Sequence, residues 1–191
     1  MKLAHLGDAL DHWKGSIIKI IGDRSLRVVP MLTDPDQWTQ KHLETYARLL
    51  HRKPEDVLKK GKNDLFSNRT RDGYFCDLGE DDLFLDPDTG IALDEKAQKE
   101  HISLSEIAAL LSESRSRILL IYQHASRDKD GPRRKLQLLR STHGLSECSI
   151  FAYDSGGVSM VVISRNRKRT DRALAPHKSL LGPVACKRII E

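Results

Sequence analysis

Asp82-Leu83-Phe84-Leu85-Asp86-Pro87-Asp88-Thr89-Gly90, near the middle of the 191-residue chain, decides how the rest is read. Three large apolar residues in a row between acids have no helical period. They read as a short strand covered on both faces. The strand ends in Asp-Pro-Asp, where proline and aspartate set a turn. An aspartate at the tip of a buried strand has to be solvated or bonded, so Asp86 and Asp88 mark an edge of the sheet that can carry chemistry.

The flanking segments alternate in type. Leu3, Leu6, Leu10, Trp13, Ile17 and Ile20 or Ile21 recur at threes and fours, which predicts an amphipathic helix. A buried strand over 26–32 follows, punctuated by Thr33-Asp34-Pro35-Asp36. A second helix over 37–51 carries Leu43, Tyr46, Ala47 and Leu50 on one stripe. Residues 52–80 are rich in Lys, Asn, Asp and Gly and read as a long excursion with one short helix over 54–60. Downstream of Asp86, Ser103-Leu104-Ser105-Glu106 is a capping box that opens a helix through Leu111. The apolar run 117–122 is another buried strand, Pro132 opens a helix through about Thr142, and Gly144 supplies its C-terminal stop. Residues 148–153 and 158–164 flank Asp154-Ser155-Gly156-Gly157 as a hairpin. Strands alternating with helices imply a single α/β domain over 1–191. Its mostly parallel sheet should lie between two helical layers, with the hairpin as an antiparallel edge.

Hydrophobic residues make up 39% and charged residues 31%, enough apolar material for a core and too much for a disordered chain. Cys76, Cys148 and Cys186 show no CxxC spacing, which disfavours a disulfide scaffold or a cysteine zinc site and suits a reducing cytoplasm. No apolar run approaches the roughly 18 residues of a membrane span, so no membrane partner is expected. Phosphate-loop, dinucleotide-loop, zincin and nucleophile-elbow motifs are all missing. The net charge of +5 is uneven. Residues 165–191 hold eight Lys/Arg against two acids, which leaves −1 for the first 164. Arg165, Arg167, Lys168 and Arg169 are candidates to contact nucleic-acid phosphates; the bland alternative is a solvated tail or loop.

In open α/β sheets ligands bind beyond the carboxyl ends of the strands. The three parallel strands deliver Asp34, then Asp86 and Asp88, then His124 and Arg127 to that rim. Asp86 and Asp88 are the central acids, able to hold Mg²⁺ through oxygen ligands or to position a base or amine. His124 is placed to move a proton and Arg127 to clamp a phosphate. Asp34, with Asp8 and His12 of the first helix, is assigned to the cofactor side; Asp8 and His12 are four apart and share a helix face.

Residues 82–164 resemble the second half of a Rossmann-like methyltransferase. In that fold a strand ends in Asp/Asn-Pro-Pro-aromatic, a helix and a further strand follow, and an antiparallel hairpin closes the sheet. The helix before the strand over 26–32 is similar to the layout of the three-Cys-motif partner and ribosomal-RNA adenine methyltransferase groups. The resemblance implies a Rossmann-like sheet, Asp86 and Pro87 as motif positions, S-adenosylmethionine as methyl donor, and a nucleic acid or nucleotide as substrate. The chain departs from the pattern at Asp88 and Thr89, and Thr33-Asp34-Pro35 stands where that fold has the glycine loop that admits the donor. Two other functions fit the same residues. One is a Mg²⁺-dependent phosphoesterase or nuclease using Asp86 and Asp88; the other is a non-catalytic module that binds nucleic acid through the basic segment.

Overall fold

The computed structural model describes residues 1–21, 25–58, 74–75, 78–92, 100–124 and 130–191. Its helices are α1 (Ala9–Ile21), α2 (Gln40–Leu49), α3 (Leu104–Glu113), α4 (Gly131–Ser141) and α5 (Arg167–Ala185). Its strands are β1 (Leu26–Val29), β2 (Asp82–Leu85), β3 (Gly90–Ile91), β4 (His101–Ile102), β5 (Ile118–His124), β6 (Ser149–Asp154), β7 (Val158–Ser164) and β8 (Ile189–Ile190). Among these residues no helix is long and apolar enough to cross a membrane.

The main sheet runs β1-β2-β5-β7-β6-β8, and β3 and β4 form a small parallel pair of their own. β1, β2 and β5 are mutually parallel neighbours, as the apolar runs imply. The rest corrects the expectation of a mostly parallel sheet. β7 returns antiparallel against β5, β6 pairs with β7 on its far side, and β8 closes the edge antiparallel to β6. The sheet is therefore mixed, and the hairpin inserts its second strand toward the centre.

Strand pleating divides the core into two halves. Leu83, Leu85, Leu119, Ile121, Val161 and Ile163 face Ile107, Leu110 and Leu111 of α3 and Leu136 and Leu139 of α4. Phe84, Leu120, Tyr122, Met160 and Val162 face Ile17 and Ile18 of α1, Tyr46 and Ala47 of α2, and Ala173 and Leu174 of α5. Burying each such side chain stabilises the fold by about 1.5–3 kcal/mol relative to leaving it in water. α1 and α2 approach closely because residue 15 is glycine: a Cβ there would lie 2.1 Å from the Leu49 carbonyl oxygen.

Several local signals have direct structural counterparts. Ser103 and Glu106 form the reciprocal capping box at the start of α3. The turn between β6 and β7 has Gly156 at φ 91°, a left-handed value that suits glycine. The first helix is shorter than its apolar period: Leu3–His5 is a separate 3-10 turn, and α1 starts only at Ala9. The basic segment is neither tail nor loop. Asn166 accepts a hydrogen bond from Arg169 N and caps α5, which packs against α1, β6 and β7. Much of the 52–80 excursion, with Cys76 and Asp77, lies outside the described residues, as do Ser126 and Arg127.

Candidate functional site at the strand-end rim

Asp8, just ahead of α1, and Asp11 and Lys14 within it follow at intervals of three along one side. Asp8 Oδ1 accepts hydrogen bonds from Leu10 N (2.8 Å) and Asp11 N (3.2 Å), so it caps the helix as well as facing the rim. Asp11 accepts from Gly7 N at 2.9 Å and from Lys14 Nζ at 3.1 Å. Lys14 Nζ also donates to Asp86 Oδ2, at 2.9 Å, where β2 ends. The Tyr46 hydroxyl, from α2, donates to the same oxygen. The ammonium lies 4.3 Å from the centre of the Tyr122 ring, a cation–π contact from the end of β5. Asp11, Lys14, Asp86, Tyr46 and Tyr122 are all buried.

Burial alone would lower the Lys14 pKa; the Asp86 and Asp11 carboxylates override it and hold the ammonium above its ordinary range. Burial pushes the Asp11 carboxyl up against the pull of Lys14. Burial, with Asp86 beside it, drives the Tyr46 phenol well up, so it stays a neutral donor. His124 is pushed down, first by burial and then by the Lys14 charge, so its imidazole is neutral at pH 7 and able to accept a proton.

Asp11, Lys14, Asp86, Tyr122 and His124 line a cavity of about 100 Å³ with Lys2, His5, Asp8, Pro87 and Asp88 at its wall. The loop after β2 is held there by Gln123. Its side chain accepts from Ile91 N (2.8 Å) and donates to Thr89 O (3.0 Å) and His124 O (2.8 Å). Gly90, at φ 106°, leaves the room this clamp needs, since a Cβ would lie 2.3 Å from Gln123 Oε1.

The rim therefore gathers Asp8, Asp86 with Asp88, and His124 from three separate stretches of sequence. Asp34 is close by but occupied: its carboxylate accepts from Leu3 N (3.0 Å) and Trp38 Nε1 (3.0 Å) and pins the first residues over the end of β1. His12 is exposed and is not part of the cavity wall. Asp86 and Asp88 do not form a carboxylate cage. Lys14 takes the cation position at Asp86, Asp88 lies 3.7 Å from Lys2 Nζ, and the described residues contain no group of three or more His, Cys, Asp or Glu arranged to hold a metal ion. Tyr46 and Tyr122 join the site without a sequence signal of their own, whereas Asp11 and Lys14 stand in a dense run of acid, imidazole, aromatic and cation that also fits a surface face. Tyr46 and Tyr122 sit within apolar patterns.

The basic cluster lies at the other end of the sheet. β7 runs toward it, and its last residue, Ser164, pairs with Ile118 at the start of β5, whereas His124 ends β5 at the rim. Seven residues of strand separate the two ends by roughly 20 Å. Two of its four cations are structurally engaged. Arg165 donates to Leu111 O (3.2 Å) and Gly144 O (2.7 Å), and Arg169 donates to Asp82 Oδ2 at 2.8 Å. Arg167 and Lys168 are exposed.

No protein-family model matches this chain. No curated protein and no solved structure matches it either.

Proposed function

We propose that this is a methyltransferase-like α/β protein that acts on a nucleotide or a nucleic-acid group at the strand-end rim, by chemistry other than methyl transfer from a donor seated on β1. The observation that carries this reading is the buried Lys14–Asp86 pair at the end of β2, with neutral His124 beside it on β5. Burying an ion pair where well-packed apolar residues would serve costs up to about 1–4 kcal/mol. Such charges mark sites where orientation or proton movement matters. Lys14 supplies a fixed positive charge, Asp86 and Asp11 hold it in place, and His124 accepts a proton. The succession of strand, Asp-Pro turn, helix, strand and closing hairpin supports the methyltransferase-like part of the reading.

S-adenosylmethionine does not fit the residues after β1. Pro30-Met31-Leu32-Thr33-Asp34 contains no glycine, and the start of the chain covers this edge through Thr33 N to Met1 O (2.9 Å) and Leu3 N to Asp34. The alternative, a Mg²⁺-dependent phosphoesterase using Asp86 and Asp88, would need a divalent cation to displace Lys14 from Asp86 in the cavity that Asp8 and Asp88 also line.

Thermal melting with four nucleoside monophosphates, S-adenosylmethionine and MgCl₂ separates these readings. The expected result is stabilisation by at least one nucleotide, lost in His124→Ala, and no shift with S-adenosylmethionine. Stabilisation by Mg²⁺ alone, lost in Asp88→Asn, moves the assignment to the phosphoesterase. Stabilisation by S-adenosylmethionine, or by none of these ligands, overturns the proposal.

A further inference from the structure

The amino end of the parallel strands carries a second cavity, of about 500 Å³, lined by Arg115, Glu147, Arg165, Asn166, Arg167 and Lys168. Four cations face one acid. Arg115 and Lys168 are exposed and make no hydrogen bond or ion pair with any described residue, and Arg167 has only a 3.9 Å contact to exposed Asp171. Arg165 is held in the wall by two backbone carbonyls. The helix adds a second argument. The first turn of α5 contains Arg167, Lys168 and Arg169 and no acid. A helix start carries partial positive charge and favours acids, so the unpaired cations there oppose the dipole. An anion in the cavity relieves this repulsion.

We propose that this cavity seats the phosphates of a nucleic-acid strand, with Arg115, Arg167 and Lys168 as the free cations and Arg165 as a fixed wall. The concave shape favours a strand that can enter it over a flat membrane surface. Phosphate recognition of this kind positions a strand without reading its sequence. The proposal does not rest on the rim assignment, because the two sites lie at opposite ends of β5.

The test is fluorescence anisotropy with a labelled 20-nucleotide single-stranded DNA at several salt concentrations. Wild type should bind with a steep salt dependence. Arg115→Ala/Arg167→Ala/Lys168→Ala should lose at least tenfold in affinity. Its slope of log K against log salt should flatten by about 2, because each phosphate that a cation no longer neutralises takes away roughly 0.7. Arg167→Glu/Lys168→Glu should bind more weakly still. Both variants should melt no lower than wild type, since only exposed cations are removed. Unchanged affinity in the triple variant, or no binding by wild type at 50 mM salt, overturns the proposal. So does equal or tighter binding to vesicles containing 30% phosphatidylserine.

Discussion

Lys14 Nζ lies 2.9 Å from Asp86 Oδ2 although 72 positions separate the two residues, and both side chains are withdrawn from solvent. Lys14→Met should leave the Asp11 and Asp86 carboxylates buried without their cation and destabilise the fold by about 3–5 kcal/mol, measured by urea unfolding. Replacing Asp11, Lys14, Asp86 and Tyr46 together by Leu, Met, Leu and Phe should recover most of that loss, because an apolar cluster needs no partner. Failure of the combined variant to exceed Lys14→Met in stability would show that the ion pairs hold the sheet together.

His177 gives a pH dependence of known sign. It is buried in α5, stacked 5.6 Å from Tyr153, and neither ring nitrogen has a hydrogen-bond partner among the described residues. Burial pushes its pKa down to about 4 from the ordinary 6.5. Above pH 6.5 both folded and unfolded chains hold it neutral. Between 6.5 and 4 the unfolded chain binds a proton that the folded chain refuses, so stability falls as pH falls, by roughly 3 kcal/mol in all. His177→Phe should match or exceed wild type at pH 7.5 and lose less between pH 7.5 and 4.5, read from urea midpoints. Parallel pH profiles in the two proteins would contradict this.

What can be read from sequence divides by distance along the chain. The capping box of Ser103 and Glu106, the Asp154–Gly157 turn and the apolar tip of β2 are local, and each stands where its residues place it. Parallel apolar runs ending in polar residues are enough to bring Asp86, Asp88 and His124 to one rim. Lys14 is hidden because its partner is remote: a lysine three after an aspartate on a helix looks like a surface pair until α1 is laid across β2. α5 is hidden because Arg165–Arg169 and Pro176 mask a short apolar stripe of Ala173, Leu174 and His177. β8, with two paired residues, is too short for any periodicity.

Gly15→Ala should reverse the usual sign for a helix interior. Alanine normally gains about 1 kcal/mol over glycine there. Here the added methyl meets the Leu49 carbonyl at 2.1 Å and forces α1 away from α2. A net loss of about 2–3 kcal/mol in urea unfolding is expected. A gain would mean the two helices can separate freely.

Gln123→Leu should loosen the loop that carries Asp88 while leaving β5 in place. It removes the acceptor for Ile91 N and the donor to Thr89 O. Each buried group left without a partner costs about 1–3 kcal/mol. Hydrogen exchange at the Ile91 amide should accelerate at least tenfold, and the Leu120 amide should change far less. Equal acceleration at both would indicate global destabilisation instead of a local clamp.

The rim assignment is tested most directly by mapping nucleotide binding residue by residue. In ¹⁵N-labelled protein titrated with each nucleoside monophosphate, amide shifts should move at Lys2–Lys14, Asp86–Thr89 and Tyr122–His124, with the His124 ring signals among the largest. Shifts confined to Arg115 and Arg165–Lys168, or no shifts at millimolar nucleotide, would place the functional surface elsewhere.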